Sequence, residues 1–365
     1  NKGLSYYVYN ALNNTVTGPT RMGFTAGTEG SFCYSTVAAV KNCDNDGYWV
    51  VVKAVIVPTG AISVINSTPP NNGNGTNSSM YAYAVNSTGV ANTPVISDAG
   101  FGGQYSIMTG TSAAKFSPNK ELFAIANKYG TNNGSSSQIF APEVHLSRFD
   151  CSTGKFNWLQ SLPFNSSVLS AIGGLSFSPN SQVLYASGST ASWSTILRQY
   201  DLSNLHCDPS APQPFCDITS IPSTAIGSPN QLQLTSNNEI IHSRSGSNDV
   251  DVITSPNNIG CSAIGYVTNG LHVSNIGISR FGLPNNIDGL TNPSPAIEIC
   301  NLNCNEYSFW LSGCAPEVTW NFGDGSPLVT GTFTDPIINN TTTSGFHYLP
   351  SHIFPATGGT FLITA

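Results

Sequence analysis

Acidic side chains are the first candidates for chemistry in this chain, because neighbouring carboxylates bind metal ions or move protons. Asp44, Asn45, Asp46 and Gly47 have the oxygen spacing of a calcium loop. No glutamate follows at the distance where an EF-hand places its bidentate ligand. The run therefore predicts an Asp-Gly hairpin turn, with a structural calcium ion as the weaker alternative. Asp324 is likewise expected to cap a turn, so no cofactor is predicted.

The histidines and remaining acids do not form a recognisable catalytic set. Only His347 and His352 lie near each other, and their spacing suits strand residues better than a zinc pair. The sequence lacks a G-x-S-x-G turn, paired acids in one loop, and a nucleophile beside an evident base. Aspartates that recur in a repeat are expected to bond their own turns, and these are Asp150, Asp201 and Asp251. We predict no catalytic residue and no enzymatic activity.

Nine cysteines make disulfide formation the clearest chemistry in the sequence. Their spacings match no zinc pattern, which predicts an oxidising compartment and secretion. The candidates for disulfides are Cys33, Cys43, Cys207, Cys216, Cys300, Cys304 and Cys314. Proximity in sequence favours pairing of Cys33 with Cys43 and of Cys207 with Cys216. Two of Cys300, Cys304 and Cys314 would form a cross-link at the domain junction. The odd count leaves at least one thiol free or bonded to another chain, and Cys151 and Cys261 are the candidates by isolation.

Nine N-x-S/T sequons are candidates for glycosylation, although the abundance of Asn, Ser and Thr produces about this number by chance. Residues 66–79 form a polar, low-complexity insertion in which an attached glycan would be accessible. The nine are Asn13, Asn66, Asn74, Asn77, Asn86, Asn133, Asn165, Asn339 and Asn340.

The elements that must position these residues recur four times along the chain. Each copy has an apolar strand, a tight polar turn, a second apolar strand, a loop and a third strand that ends at an Asp or Asn turn. The copies begin SFCYSTVAAVKNCDNDGYWVVVKAV, AAKFSPNKELFAIAN, GLSFSPNSQVLYASG and LQLTSNNEIIHSR. Many of these strands are apolar on both faces, as strands between neighbouring propeller blades must be. We predict radially arranged blades with hairpins at Asn45, Pro118, Pro179 and Asn237.

The first strand, Leu4 to Tyr9, is expected to be the outer strand of a blade whose earlier strands are absent. The propeller is therefore expected to be incomplete at its N-terminus. Alternating tyrosines near this strand form a possible stacking surface for sugars, although packing in the core is the favoured use. They are Tyr6, Tyr7, Tyr9, Tyr81 and Tyr83.

Composition restricts the partners of the chain. Only 8% of its 365 residues are charged, with 12 Lys and Arg against 19 Asp and Glu. No basic run provides the electrostatic surface that binds phosphate backbones, so a nucleic-acid partner is not expected. No apolar run reaches the roughly 20 residues of a membrane span. The chain begins without Met or a signal segment, which predicts a processed or truncated product.

The C-terminal part carries a second pattern. Trp320 and Phe322 are expected to point inward around Asn321, while Gly323, Asp324 and Gly325 are expected to make a tight hairpin. The segments CAPEVTWNFGDGSP and HIFPATGGTFLITA resemble a PKD module, an immunoglobulin-like β-sandwich. The resemblance implies that the chain stops within the final strand of this module, with an edge left for pairing.

The repeats also resemble a known family. KFSPNKELFAIAN, SFSPNSQVLYASG and ISRFGLPNNID are similar to the propeller region of Bacteroidota gliding-motility-associated proteins and type IX secretion cargo. This resemblance covers about residues 4–290, with RFGLPNNID its most specific part. Such proteins place PKD-type modules after the propeller. Relative to them, about two N-terminal blades are missing.

These observations predict an all-β chain with a propeller-like repeat domain over 1–290 and a PKD-like β-sandwich over 291–365. The expected function is that of a non-enzymatic, extracellular structural or adhesive surface protein. Edges left at both ends would allow self-association, so the chain is expected to be the repeating subunit of a fibre. A glycan-binding surface module is the first alternative, with polysaccharide as its partner, and a propeller hydrolase or lyase is the second.

Overall fold

The protein consists of small antiparallel sheets wherever the computed structural model describes it, and those residues contain no helix. The described residues are 5–21, 31–43, 46–56, 78–98, 113–131, 139–164, 171–189, 195–218, 231–244, 247–272, 283, 287–288, 297–302, 305–311, 317–332, 351–355 and 359–365. An all-β fold is therefore confirmed for this part of the chain.

Four consecutive sheets form the repeat region. The first blade contains β3 (Ser31–Lys41), β4 (Tyr48–Ile56), β5 (Ser78–Asn86), β6 (Gly89–Val90) and β7 (Val95–Asp98). The second contains β8 (Ala114–Phe116), β9 (Leu122–Thr131), β10 (Ile139–Asp150) and β11 (Lys155–Pro163). The third contains β12 (Ala171–Phe177), β13 (Val183–Ser189), β14 (Thr195–Asp201) and β15 (Phe215–Ile218). The fourth contains β16 (Gln231–Leu234), β17 (Ile240–Ser243), β18 (Asp249–Ile253) and β19 (Tyr266–His272).

The order and contacts of these strands are those of propeller blades. In the last three sheets each strand pairs with the next one in sequence, and in the first blade β7 returns to pair with β5. The first strands of successive sheets, β3, β8, β12 and β16, contact one another in that order. Strands that meander outward from a shared inner edge define a β-propeller. The predicted hairpins at Pro118, Pro179 and Asn237 are confirmed, and β3 pairs with β4 on either side of Asn45.

The inner hairpins of the last three blades share one turn chemistry. Ser117 Oγ accepts the amide of Leu122, and Ser178 Oγ accepts the amide of Val183, at 2.9 and 3.0 Å. In the fourth blade Thr235 Oγ1 accepts the amide of Glu239 at 3.3 Å. The turns place Lys120, Ser181 and Asn238 in the left-handed region, with φ of 68°, 64° and 63°. A hydroxyl that accepts a backbone amide and one left-handed residue thus produce the tight turn in each of these three blades.

Apolar layers fill the spaces between blades. One cluster joins the first blade to the second through Trp49, Val51, Phe116 and Phe149. Leu146, Leu175 and Tyr200 belong to the layer between the second and third blades, and Tyr185, Ile240 and Ile253 to the layer between the third and fourth. Burial of both faces of these sheets explains why many of their strands carry apolar residues on both faces.

The first two strands form a separate hairpin, so the prediction that Leu4 to Tyr9 is the outer strand of a blade is wrong. Among the described residues, β1 (Ser5–Asn10) pairs only with β2 (Thr15–Arg21), through a four-residue turn. Tyr6 packs against the cluster formed by Val52, Tyr81 and Tyr83 on the first blade. A local turn and one aromatic contact therefore replace the pairing expected from the repeat.

The C-terminal strands form two further sheets around an aromatic core. One contains β20 (Ile297–Asn301), β21 (Glu306–Leu311) and β24 (Ser351–Ile353), and the other contains β22 (Glu317–Trp320) and β23 (Val329–Thr332). Phe309, Trp320, Phe322 and Phe354 are buried together. Asn321 is exposed, as the predicted alternation requires.

The turn after Trp320 is wider than predicted. Trp320 pairs with Val329, so the connection is not a tight hairpin at Gly323 to Gly325. The extra length lets Phe322 return to the core. Gly323, at φ 73°, lies so close to the end of the chain that a Cβ atom would be 2.4 Å from the Leu362 carbonyl oxygen. Asn321 and Thr364 exchange two backbone hydrogen bonds at this point, so the last residues do pair.

Candidate functional site

A polar cluster lies where the inner strands of three blades converge. Lys115 of β8 places its Nζ 3.0 Å from Gln233 Oε1 of β16 and 3.6 Å from Asp288 Oδ1. The Asp288 carboxylate also accepts the amide of Phe116 at 2.9 Å. We call Lys115, Gln233 and Asp288 the axial cluster. Burial raises the pKa of Asp288 to about 6, and the Lys115 ammonium opposes this shift.

The segment that carries Asp288 connects the fourth blade to the first. The Leu283 amide donates to Gln231 Oε1 of β16 at 2.6 Å, and the Asp288 amide donates to the Ala39 carbonyl of β3 at 2.8 Å. Asp288 also forms a parallel bridge with Val40. These contacts join the two outermost described blades at their inner edges. Asp288 is the last residue of the RFGLPNNID stretch, and no sequence pattern predicted that this aspartate is buried.

A second cluster lies between the first and second blades. His145 Nε2 is 2.7 Å from Glu143 Oε1, both on β10, and Lys53 of β4 interacts electrostatically with both. Lys53 is 1% exposed, and burial lowers its pKa to about 7 despite the nearby glutamate. Burial also lowers the pKa of His145. An amine with this pKa is partly uncharged near neutral pH, which is the property of a potential base or nucleophile.

A third polar contact joins the second blade to the third. Arg198 of β14 forms two hydrogen bonds with the carboxylate of Asp217, at 2.6 and 2.7 Å. Its remaining terminal nitrogen donates to the Pro163 carbonyl at the end of β11, at 2.8 Å. The guanidinium carbon lies 4.0 Å from the ring centre of Phe215. All three nitrogens of this guanidinium therefore form hydrogen bonds within the propeller.

The fourth blade has its own buried charged set. Arg244 Nε lies 2.8 Å from Asp251 Oδ2, and the same oxygen accepts the Tyr266 hydroxyl at 2.5 Å. His242 Nδ1 is 3.1 Å from the Tyr266 hydroxyl oxygen. Burial lowers the pKa of His242 to about 4, so the ring is neutral near pH 7. Asp251 also accepts the Asn269 amide at 2.8 Å, which ties β18 to β19.

The recurring aspartates divide into two groups. Asp150 and Asp201 do bond their own turns, since Asp150 accepts the amides of Ser152 and Thr153 and Asp201 accepts that of Ser203. The same prediction is wrong for Asp251. Its side chain lies within the sheet rather than in a turn, because it balances the charge of Arg244.

The predicted metal candidates do not come together in the described structure. Asp44 and Asn45 lie outside the described residues, and Asp46 accepts a hydrogen bond from the side chain of Asn42. Asp324 caps its turn, where hydrogen bonds from Ser326 and His352 hold its pKa well below the usual range. His347 also falls outside the described range. Among the residues that the structure describes, no group of three His, Cys, Asp or Glu side chains could hold a metal ion.

The cysteine pairs differ from the predicted ones. The three disulfides are Cys43–Cys151, Cys207–Cys300 and Cys216–Cys261. Pairing of Cys33 with Cys43, and of Cys207 with Cys216, is therefore wrong, as is the assignment of Cys151 and Cys261 as free-thiol candidates. Every bond joins two different sheets, because the paired cysteines lie close together in the fold although they are far apart in sequence. The side chains of Cys33, Cys304 and Cys314 lie outside the described part.

The disulfides indicate folding in an oxidising environment. No helix that could cross a membrane occurs among the described residues. Two sequons are described, at Asn13 and Asn86. In each the carboxamide oxygen accepts the hydroxyl of its own Thr, Thr15 or Thr88, at 2.6 Å. The other seven, at Asn66, Asn74, Asn77, Asn133, Asn165, Asn339 and Asn340, fall outside the described residues.

The five tyrosines considered for sugar stacking differ in how far their side chains are buried. Tyr81 and Tyr83 belong to the core, and Tyr6 packs on them. Tyr7 and Tyr9 are 62% and 60% exposed. Only these two of the five therefore present their rings to solvent.

Neither a known protein family nor a curated protein matches this chain. Among solved structures it is similar to the periplasmic gluconolactonase of Pseudomonas aeruginosa, at 13% identity over 96% of this chain and 78% of that one, with a TM-score of 0.42. The α-L-arabinanase of Penicillium chrysogenum has 13% identity over 85% of this chain and 81% of that one, with a TM-score of 0.37. The Aleuria aurantia lectin has 13% identity over 83% of this chain and 77% of that one, with a TM-score of 0.32. At these TM-scores the fold assignment rests on strand order and contacts, and the activities of these proteins give no indication for this chain.

Proposed function

We propose that this protein is a non-enzymatic, extracellular structural or adhesive protein of a bacterial surface. One observation carries the proposal: the buried charged groups of the propeller interact with partners that hold its own strands and blades together. Asp288 connects the first and second blades, Arg198 connects the second and third, and Asp251 connects strands within the fourth. Disulfides between sheets support the same role, because they resist unfolding outside the cell.

The resemblance to Bacteroidota surface proteins supports a location on the cell surface. In this proposal the C-terminal sheets are a PKD-like module that follows a propeller domain ending near residue 290. Two observations favour it. Trp320 and Phe322 are buried together, and His352 Nε2 lies at hydrogen-bond distance, 2.7 Å, from Asp324 Oδ2. The disulfide Cys207–Cys300 would then fix this module to the third blade.

A propeller hydrolase is the second candidate, and one observation favours it. Lys53, Glu143 and His145 combine an amine of pKa about 7 with a hydrogen-bonded acid and imidazole. Such sets supply general bases and nucleophiles in enzymes. Their position between two packed blades favours a structural role, because a substrate would have to enter the interface to reach Lys53.

Turnover measurements separate these two functions. The oxidised protein is incubated with neutral polysaccharides, aryl esters and lactones, together with the variants Lys53→Met and Lys155→Met. Lys155 is exposed and serves as the matched control. We expect no product above the buffer control with any of the three proteins. Turnover that Lys53→Met abolishes and Lys155→Met retains would contradict the proposal and establish the hydrolase.

Self-association is tested separately by light scattering and electron microscopy of the purified protein. Concentration-dependent filaments would support the repeating subunit of a fibre. A monodisperse monomer would rule out the fibre and leave an adhesive or scaffolding protein that acts singly.

A further inference from the structure

The hairpin of β1 and β2 carries an exposed aromatic surface. Tyr7 and Tyr9 are two positions apart on β1, with Val8 between them, so their rings lie on the same side of the strand. Tyr9 is paired in register with Val16 of β2, which is 63% exposed. We call residues 5–21 the ribbon. Its outer side therefore presents two aromatic rings and one aliphatic side chain to solvent.

The rings of the ribbon are fixed by local contacts. The Tyr9 hydroxyl donates to Asn14 Oδ1 at 2.9 Å. Tyr7 lies against Gly18, where a Cβ atom would come within 3.1 Å of the ring. Tyr6 anchors the opposite side of the ribbon to the first blade. Because the rings are already ordered, binding of a ligand would cost little side-chain entropy.

The polar groups of the ribbon are uncharged donors. No charged residue occurs between Gly3 and Thr20. The carboxamide oxygens of Asn10, Asn13 and Asn14 each accept a hydrogen bond from the ribbon itself. Their NH2 groups have no hydrogen-bond partner among the described residues, and so three amide donors remain for a ligand.

We propose that the ribbon binds a neutral polysaccharide, an inference that rests on the adhesive function proposed above. The apolar faces of sugar rings match Tyr7 and Tyr9, and sugar hydroxyl oxygens match the amide donors. An acidic polymer or nucleic acid would need cations, which residues 3–20 lack. The side chains that contact the sugar are those of Tyr7, Tyr9 and the three asparagines.

Co-sedimentation with insoluble cellulose, xylan and chitin tests the proposal. Wild-type protein is compared with the double variant Tyr7→Ala/Tyr9→Ala and with Trp158→Ala. Trp158 is 46% exposed on β11 and is the control for an exposed aromatic elsewhere. We expect wild type to bind at least one of the three polymers. We expect at least about a tenfold loss of affinity in the double variant and no change in Trp158→Ala.

Three results would overturn the inference. They are no retention of wild type on any neutral polymer, equal retention of the double variant, and a dimer in solution that the double variant abolishes. Matched thermal unfolding of the three proteins confirms that the ribbon variants remain folded. The turnover measurements described above test the proposed function separately. A protein that shows no turnover and binds no polysaccharide would contradict the ribbon proposal alone.

Discussion

Buried titratable side chains determine how the stability of this protein depends on pH. Among these groups, the pKa of Asp288 is raised to about 6 and that of His242 is lowered to about 4. Burial causes both shifts, but the shifts act on stability in opposite directions. One group is charged when deprotonated and the other when protonated.

Burial of Asp288 should make wild type less stable as the pH rises, and we expect Asp288→Asn to abolish this loss. The folded protein holds the Asp288 proton up to about pH 6, whereas the unfolded chain releases it near 3.8. Raising the pH from 4 to 7 therefore favours unfolding of wild type by up to about 3 kcal/mol relative to the variant. Urea denaturation at several pH values measures this difference. Asp46→Asn, at an exposed position, is the control, and a pH-independent difference would contradict the assignment.

His242→Gln should show the opposite trend. The neutral ring is favoured in the folded state, so its contribution is complete above pH 6.5 and is lost as the pH falls towards 4. Relative to the variant, wild type should lose roughly 3 kcal/mol over that interval. The same denaturation series measures it, with His272→Gln on the exposed strand β19 as control. Parallel stability curves for wild type and His242→Gln would show that the ring is not buried in its neutral form.

Sequence alone indicated little of this residue chemistry. Lys53 is a lone cation in the apolar strand YWVVVKAVI, which was the only signal that a charge is buried there. Its partner Glu143 lies on another blade and cannot be identified by spacing. Asp251 was placed in a turn by analogy with Asp150, whereas Arg244 draws it into the sheet.

Elements were more predictable than sites, because turns and the strands beside them follow local rules. The Ser-Pro-Asn turns and the apolar strands next to them are found where the sequence places them. The last strands of the first, third and fourth blades, β7, β15 and β19, were not predicted. β7 and β15 have only four residues each, and β19 is exposed along most of its length, so periodicity is weak in all three.

The left-handed residue of the inner turn gives a test at the scale of the element. Asn238→Ala should lower the free energy of unfolding by about 1 kcal/mol, because alanine tolerates φ of 63° less well than asparagine. Asn238→Gly should be neutral or slightly stabilising. Asn237→Ala, one position earlier, is the matched control and should change stability by less than about 0.5 kcal/mol. Equal effects at the two positions would contradict the turn geometry.

At the scale of the whole molecule, covalent bonds connect sheets that are distant in sequence. The disulfides span 45, 93 and 108 residues. Sequence proximity predicted the wrong partners because the order of blades, rather than distance along the chain, decides which turns meet. The composition still predicted the oxidising environment correctly, since that inference requires no connectivity.

Removal of the Cys216–Cys261 bond should destabilise the propeller substantially. A loop of 45 residues is closed in the unfolded chain, and its release corresponds to about 4 kcal/mol in the chain-entropy estimate. Cys216→Ser, Cys261→Ser and the double variant should lose similar amounts in guanidinium denaturation, because any one change breaks the bond. Stability unchanged in all three would mean that the bond does not constrain the third and fourth blades.

Peptide mapping under non-reducing conditions tests most directly the claim that this protein is a set of blades fastened to one another. Proteolysis of the alkylated native protein, followed by mass spectrometry, should yield three cross-linked pairs that contain Cys43 with Cys151, Cys207 with Cys300, and Cys216 with Cys261. Reduction should separate each pair. A peptide that joins Cys33 to Cys43 or Cys207 to Cys216, or alkylated thiols at Cys151 and Cys261, would contradict the arrangement of the blades.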